Sequence, residues 1–309
     1  MRLRLFLLFA LTLPVLAQQT GLPFLEIGTS AAEMATGSAG VADISGAHAS
    51  YWNPAGLAAG SNDASLTYDS WIGGVELVTV AARFGIGSGG LGLSVTSSSA
   101  GGIEARNAAG PPSGEFDATY LSVSAAYALQ VGPVRAGASV KYLSEQLFLE
   151  SATGVGFDAG FQADVLNDRL LVGASVQHLG EMEELGLEAS ALPTTIRAGV
   201  TLRPFDIITE DDFVEYGESE PKQEAVLRTT VRFDVSHQTE AERTRLHAGL
   251  EGELFDMIAL RAGYITNHDT RSATFGLGFA IDAFGFDFAY LPFDAGFSSA
   301  QVLTLRYGW

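Results

Sequence analysis

The chain has 309 residues, of which 47% are hydrophobic, 36 are glycine and none is cysteine. This apolar fraction is too large for a disordered chain, the glycines lack collagen spacing, and the absence of cysteine excludes a disulfide-stabilised mini-domain. The formal charge of −19 argues against nucleic-acid binding, because a phosphate backbone attracts basic patches and no lysine or arginine cluster is present.

Residues 1–17 are predicted to be a secretory signal peptide. Two arginines precede an apolar stretch over residues 5–13, and Ala17 ends a small-residue cleavage site. The mature chain would begin near Gln18 in the cell envelope, with no cysteine for lipid attachment. No later run of about 18 apolar residues could form a transmembrane helix. A soluble exported protein or one large β-barrel remains.

Residues 18–62 are predicted to form a compact N-terminal hatch, or plug, because they are rich in small residues and lack strand-like alternation. Ser30 could cap a short helix over residues 31–36, and Gly37 would end it. Farther on, proline and glycine indicate a tight turn. This turn belongs to a hatch motif formed by Trp52, Asn53, Pro54, Ala55 and Gly56.

From residue 63 onward, apolar residues alternate with small or polar ones, which is the period of a β-strand. Fourteen strands are predicted, near residues 63–70, 75–84, 89–98, 117–129, 132–148, 153–165, 169–178, 193–203, 224–236, 242–254, 256–266, 272–281, 284–291 and 301–309. An even number suits a closed outer-membrane barrel. The predicted fold class is therefore all-β: a transmembrane outer-membrane β-barrel of about fourteen antiparallel strands over residues 63–309.

One face of these strands carries bulky apolar side chains, and the other carries glycine, alanine, serine and single charges. A soluble β-sandwich, the alternative fold, would cover its outer face with charges. The polar face is therefore expected to line a lumen, in which basic residues pair with acids. The candidate lumenal residues are Arg228, Arg232, Arg245, His247 and Arg261. The last strand is a predicted insertion signal, with Leu305, Tyr307 and Trp309 alternating up to the terminal aromatic residue.

Turn lengths predict the orientation, because such barrels have short periplasmic turns and longer extracellular loops. The predicted connections at 85–88, 130–131, 166–168 and 282–283 are short, whereas those at 99–116, 179–192 and 292–300 are long. Residues 204–223 fall on the short side, yet they are long and carry seven acids against one lysine. Either the strand count is off by one, or this segment is a periplasmic insertion.

The candidate chemical motifs are weak. Residues 85–90 match a dinucleotide-binding fingerprint, but a strand follows them instead of a helix. Asp234, Ser236 and His237 could suggest a hydrolytic triad, but adjacent side chains of a strand point to opposite faces.

An acidic stretch could bind calcium but lacks the loop spacing, so a solvated loop is favoured; it contains Glu181, Glu183, Glu184 and Glu188. The histidines share no metal-ligand spacing. We expect no enzymatic activity, no cofactor and no metal site.

The N-terminal motifs resemble those of the PorV/PorQ family of outer-membrane proteins, which are related to FadL-type fatty-acid transporters. The resemblance is carried by residues 24–37, by the string from Trp52 to Leu57, and by residues 290–296 before the final strand. It implies a fourteen-stranded barrel with an N-terminal hatch that contains Asn-Pro-Ala. Residues 32–35 depart from the pattern of the relatives, which usually carry an arginine there.

Two functions follow from this resemblance. The preferred hypothesis is a component of type IX protein secretion that handles exported proteins, with outer-membrane lipid, barrel-assembly machinery, type IX secretion components and exported proteins as partners. The alternative is a FadL-like transporter of hydrophobic small molecules. Against transport, the predicted lumenal strand faces offer only glycine, serine, threonine and charge, and so lack an apolar lining. Both hypotheses place the protein in the cell outer membrane, without nucleic acid.

Overall fold

The computed structural model describes residues 22–105, 114–185, 188–210, 223–268, 270–294, 296 and 298–309. The predicted signal peptide lies outside the described residues. Within these ranges, no helix has the length and apolar character needed to cross a membrane.

The regular structure consists of strands preceded by a few short helical turns. Before the first strand lie α1 (Ala31–Ala35), α2 (Ala49–Trp52) and two 3-10 turns, Pro23–Glu26 and Pro54–Ala58. A third 3-10 turn, Ile72–Gly74, joins the first two strands. The strands are β1 (Asp63–Ser70), β2 (Val75–Ile86), β3 (Gly89–Ala105), β4 (Gly114–Val131), β5 (Val134–Leu147), β6 (Glu150–Asp164), β7 (Leu170–Leu185), β8 (Glu188–Ala191), β9 (Thr195–Leu202), β10 (Asp206–Glu210), β11 (Gln223–Gln238), β12 (Arg243–Leu254), β13 (Ile258–Ile265), β14 (Ala273–Ile281), β15 (Phe284–Leu291) and β16 (Ala300–Gly308).

Fourteen of these strands form a closed antiparallel ring. Consecutive strands pair from β1 to β7 and from β11 to β16, while β9 pairs with both β7 and β11. The ring closes where β1 pairs with β16, with Leu66 opposite Leu305. The short β8 and β10 lie outside the ring and extend the hairpins of β7 and β11. The prediction of a fourteen-stranded outer-membrane β-barrel is confirmed.

Two strands are much longer than predicted: β3 continues from the expected end near residue 98 to Ala105, and β7 extends by a similar length. The alternating pattern indicates an end near residue 178, but β7 continues to Leu185 and pairs with β8. Most of the acidic stretch predicted as a loop therefore belongs to a hairpin. Beyond the membrane a strand has no apolar face to mark it, because water solvates both sides. The sequence pattern consequently ends where the lipid ends.

Side chains alternate between the outside and the inside of the ring. On β15, Phe286 is 38% exposed whereas the adjacent Asp287 is 1% exposed. On β14, Phe275 and Phe279 are exposed and Thr274 is buried. The closed ring pairs its strands edge to edge and presents an apolar surface, as a barrel in lipid requires. The protein is thus a barrel of the outer membrane.

Short turns collect at one end of the barrel, which we call the short-turn end; the opposite end is the long-loop end. The chain ends beside the short turns, where the backbone N–H of Trp309 donates to the Asn62 carbonyl at 3.0 Å. The connection at 204–223 opens at the short-turn end, because β9 ends beside the start of β7. Since the ring has fourteen strands, this connection is an insertion on the short-turn side. Its residues 211–222 lie outside the described residues.

Residues 22–62, called the N-terminal segment below, pack against the inner face of the ring. The backbone N–H of Ala31 donates to the Thr304 hydroxyl on β16 at 3.0 Å. The N–H of Gly40 donates to the Asp234 carboxylate on β11 at 2.9 Å. Inner side chains of distant strands thus supply hydrogen-bond partners to a segment that has little regular structure of its own.

The start of α1 differs in detail from the expectation. Ser30 occupies the N-cap position, but its hydroxyl donates to the Glu33 carboxylate and makes no hydrogen bond to the helix backbone. Ser30 and Glu33 have the spacing of a capping box, but here the two side chains bond to each other and not to the backbone N–H groups. The helix ends at Ala35, and Gly37 has a φ of 69°, a left-handed conformation that favours glycine.

Asn53 joins the N-terminal segment to the barrel wall. Its fully buried side chain donates from Nδ2 to the carbonyls of Val41, at 2.7 Å, and Phe161 on β6, at 3.1 Å. Its Oδ1 accepts from the Ala55 N–H at 3.1 Å. A Cβ atom built on Gly160 would lie 1.8 Å from that Oδ1. The wall therefore requires glycine where the Asn53 amide approaches it.

Replacing Trp309 by alanine is expected to lower the yield of folded barrel. The Trp309 ring lies on the outer face, with centroid distances of 6.0 Å to Tyr307 and 5.9 Å to Phe84. Aromatic residues at this level anchor a barrel at the membrane interface. The measurement is the heat-modifiable fraction in isolated outer membranes, with the lipid-facing Tyr127→Ala as control. Equal yields from both variants would contradict the anchoring role.

Candidate functional site: three cavities inside the barrel

Three cavities follow one another between the N-terminal segment and the ring. The outer cavity, of about 470 Å³, lies near the long-loop end. The inner cavity, of about 430 Å³, lies near the short-turn end, where Asp282 lines it. Between them is a narrow middle cavity of about 20 Å³. Phe24 and Tyr51 line both the outer and the middle cavity, and His48 lines both the middle and the inner one.

Aromatic side chains dominate the outer cavity. Phe24 stacks on Tyr120 of β4 with ring centroids 5.4 Å apart, and Trp71 meets Phe293 edge-on at 5.3 Å. The aromatic lining residues are Phe24, Tyr51, Trp52, Trp71, Tyr120 and Phe293. Small-molecule sites typically have volumes of about 300–1,000 Å³, with mostly apolar walls and a few placed polar groups. The outer cavity has this character.

The expectation that the lumen lacks an apolar lining is wrong for this end of the barrel. Tyr51 and Trp52 come from the N-terminal segment, and Trp71 and Phe293 come from connections between strands. Only Tyr120 lies on a strand of the ring. Strand periodicity predicts which side chains the barrel wall presents to the lumen. It does not predict which residues of the N-terminal segment and the connections lie inside the lumen. The available signal was Tyr51 next to Trp52, the first residue of the hatch motif.

Several polar side chains that line the outer cavity have partners within the protein. Glu26 accepts a hydrogen bond from Gln238 at 2.9 Å and lies 3.6 Å from the Arg245 guanidinium. The Arg197 guanidinium lies over the Trp52 ring at 5.4 Å, within the range of a cation–π interaction. These contacts hold the first turn of the N-terminal segment and the Trp52 ring in place.

Hydroxyl groups from the wall line the middle cavity. They belong to Thr79, Ser94, Thr96, Ser122 and Ser124, on β2, β3 and β4. Opposite them, the Tyr51 hydroxyl donates to the Leu25 carbonyl at 2.8 Å, and burial raises the pKa of Tyr51. Lys141, whose Nζ lies 2.9 Å from Asp158, also lines this cavity. The passage between the two larger cavities is thus closed by hydroxyl groups, one ion-paired lysine and aromatic rings of the N-terminal segment.

His48 occupies the neck between the middle and inner cavities. Its ring is 6% exposed, and within the described part of the chain neither ring nitrogen has a hydrogen-bond partner. Burial lowers the pKa of His48, so the ring is neutral at neutral pH. The neck therefore carries no charge of its own.

The inner cavity contains a network of ion pairs. Arg232 Nη2 lies 2.8 Å from a carboxylate oxygen of Asp43 and 3.3 Å from one of Glu251. Arg261 contacts the same Glu251, and its Nη1 lies 2.7 Å from Asp287. The network connects the N-terminal segment, through Asp43, to β11, β12, β13 and β15. Partly buried, multiply bonded charges of this kind stabilise one arrangement of the segment.

The predicted lumenal residues fall in three places. Arg245 and His247 line the outer cavity, whereas Arg232 and Arg261 line the inner one. Arg228 lies at the rim of the short-turn end, where its side chain is 41% exposed and pairs with acids of β12 and the following turn. The prediction treats these five residues as one group, but the barrel distributes them along its full height.

The other predicted residues lie apart from these. In the hatch motif, Trp52 lines the outer cavity, Asn53 contacts the wall, and the turn that follows is buried. The side chains of the insertion signal, Leu305, Tyr307 and Trp309, are exposed on the outer face of the barrel.

The residues considered as a hydrolytic triad do not converge. The buried Ser236 hydroxyl lies 2.8 Å from His247 Nε2, and His247 Nδ1 lies 2.8 Å from the Gly37 carbonyl. His237, one residue later, instead contacts the Thr244 hydroxyl at 2.9 Å. Ser236 and His237 thus have separate partners on opposite faces of β11.

No protein-family model matches the chain, and no curated protein matches its sequence. Solved structures match over nearly the whole barrel. The toluene transporter TbuX of Ralstonia pickettii is 15% identical, with 91% of this chain and 98% of that chain covered and a TM-score of 0.60. The fold is shared. The TodX monoaromatic hydrocarbon channel, in a deltaS2 mutant, is 12% identical, with 91% and 99% covered and a TM-score of 0.57.

These likenesses show an outer-membrane barrel fold and nothing finer. They add no support for the PorV/PorQ family in particular, so that resemblance continues to rest on the N-terminal and C-terminal sequence motifs.

Proposed function

We propose that the protein is a FadL-like outer-membrane channel for small hydrophobic molecules, with single-ring aromatic compounds as its best-fitting class. The observation that carries this proposal is the outer cavity of about 470 Å³ lined by six aromatic side chains. Aromatic rings in such a cavity gain apolar burial together with edge and stacking contacts. We propose no chemical reaction on the transported molecule.

The order of the cavities supports a route through the lumen. A molecule leaving the outer cavity would pass Phe24 and Tyr51, cross the hydroxyl-lined middle cavity, pass His48 and reach the inner cavity. Because the middle cavity holds only about 20 Å³, passage requires the N-terminal segment to shift. The inner charges would disfavour a stay by an apolar molecule and so favour its release.

The names of the two solved neighbours agree with this class of cargo, since they are a toluene transporter and a monoaromatic hydrocarbon channel. The alternative, a role in type IX protein secretion, is supported only by the sequence motifs. We therefore place hydrophobic transport first.

The test is uptake of radiolabelled toluene by cells that carry this barrel in place of their own hydrophobic-compound channels. Trp71→Ala combined with Phe293→Ala is expected to weaken toluene binding roughly tenfold or more, because both rings are partly buried at the cavity and full burial of one such side chain is worth about 1.5–3 kcal/mol. Uptake at low toluene concentration falls accordingly. The matched control is Tyr127→Ala with Phe161→Ala, two aromatic residues exposed on the outer face. Uptake no greater than in barrel-free cells would refute the proposed function.

A further inference from the structure

Arg271 is buried in the aromatic part of the outer cavity. It lies in the connection between β13 and β14, is 6% exposed and lines the cavity wall. Its guanidinium lies 5.3 Å from the Trp71 ring centroid and 5.8 Å from that of Phe293. Both distances are within the range of cation–π contact. The two rings hold the guanidinium in one position at the cavity wall.

The guanidinium lacks the hydrogen-bond partners that its burial demands. Nε and Nη1 are buried without a partner among the described residues. Burial, followed by the charge of Arg245, lowers the pKa of Arg271 to about 10, so the side chain remains cationic at neutral pH. A buried charge without a hydrogen-bonded counterpart is strongly unfavourable, and in most proteins it is paired or absent.

The other two arginines of the outer cavity each face an acid. Arg245 lies 3.6 Å from Glu26, and Arg197 lies 3.6 Å from Asp234. Across the residues that the structure describes, no carboxylate lies within ion-pair distance of Arg271. Among the described residues, the outer cavity therefore has one positive charge without a paired carboxylate, beside an aromatic surface, and a neutral hydrocarbon would leave it unpaired.

We propose that the outer cavity selects small aromatic carboxylates, with the ring packed among the aromatic side chains and the carboxylate bound by Arg271. This inference rests on the proposed channel function and narrows its cargo. A carboxylate accepts charge-assisted hydrogen bonds from a guanidinium, which are roughly twice as strong as hydrogen bonds between neutral groups. Within the described lining of the cavity, Arg271 is the arginine without a paired carboxylate, and it fits a ligand with a single negative charge.

The test compares ligands of one shape and different charge on the purified barrel. Isothermal titration calorimetry would measure binding of phenylacetate, benzylamine and toluene to the full chain in detergent micelles. The wild type is expected to bind phenylacetate at least about tenfold more tightly than benzylamine. Equal or tighter binding of benzylamine would overturn the proposal, and this comparison needs no mutant.

Variants of Arg271 test whether its positive charge causes the preference for the carboxylate. Arg271→Met is expected to lower the ratio of phenylacetate affinity to toluene affinity at least about tenfold, and Arg271→Lys should retain much of the preference for the anion. Arg169→Met is the control, because Arg169 lies at the short-turn end, half exposed and paired with Asp206. Thermal unfolding should show Arg271→Met at least as stable as wild type, since it removes a buried unpaired charge.

The outcomes separate this proposal from the channel function. Phenylacetate binding that is unchanged in Arg271→Met overturns the role of Arg271. Toluene binding without any preference for phenylacetate overturns the anionic cargo and leaves the channel standing. Failure of all three ligands to bind would remove the support for both.

Discussion

Replacing Asn53 and Pro54 together with alanine is expected to open the barrel, which will appear as more frequent ion-conducting events in planar bilayers. Asn53 is the hydrogen-bonded link between the N-terminal segment and the wall. Its loss removes the two Nδ2 hydrogen bonds to the Val41 and Phe161 carbonyls, at a cost of about 1–3 kcal/mol, although Gln162 still donates to Val41. Loss of the Pro54 ring adds about 0.4–1 kcal/mol to this cost, because the segment gains more backbone conformational entropy when it leaves the wall. Together these raise the population of the displaced segment roughly 10- to 1,000-fold.

The barrel itself should survive this change, because its strands hydrogen-bond to one another and close independently of the segment. Heat modifiability checks that point, and Pro133→Ala in an exposed turn is the matched proline control. Gly160→Ala disrupts the contact between Asn53 and the wall from the strand side, since its Cβ atom would lie 1.8 Å from the Asn53 side-chain oxygen. Gly252→Ala is its control, with the nearest atom 3.7 Å away. Wild-type conductance in both test variants would show that this contact does not seat the segment.

The same double variant separates the two functional hypotheses in a living cell. A channel would show altered uptake of a hydrophobic tracer, whereas a secretion component would keep tracer uptake low and lose surface display of an exported protein. Both readouts can be taken in one deletion strain complemented with either gene. Changed surface display with constant tracer uptake would favour the type IX secretion hypothesis over the channel.

Blocking the middle cavity should nearly abolish transport while leaving ligand binding intact. Ser122 faces the middle cavity, which holds only about 20 Å³. A phenyl ring at that position fills the passage and obstructs any shift of Tyr51 toward the wall. Ser122→Phe is therefore expected to reduce toluene uptake to near the level of barrel-free cells. Toluene binding to the outer cavity, followed by the fluorescence of its tryptophans, should persist.

The neighbouring residue supplies the control for this block. Val123 follows Ser122 on β4 but is 41% exposed on the lipid-facing side. Val123→Phe adds a similar volume to the opposite face of the same strand, and uptake should match the wild type. Ser122→Ala, which removes only the hydroxyl, should also transport normally. Wild-type uptake by Ser122→Phe would mean that the cargo leaves the outer cavity by another way.

The sequence alone determined the barrel. The period of two in β14 and β15, with Phe275, Phe279 and Phe286 on one face and small or polar residues on the other, is a local property of a strand between lipid and lumen. Fourteen such runs predicted the fourteen strands of the ring, and most of the predicted strand boundaries lie close to the observed ones. The pattern ended too early at the long-loop end, where β3 and β7 continue past their alternating residues.

The tertiary structure alone decided what the lumen contains. Trp71, Phe293 and Arg271 lie in connections with no periodicity, and Phe24 and Trp52 lie in an irregular segment, so no sequence pattern predicts that they share one cavity. They meet because the ring closes through long-range strand pairing and the N-terminal segment threads its interior, contacting strands more than 200 residues away. Periodicity reports which environment each residue faces. Only the closed fold determines which residues face one another.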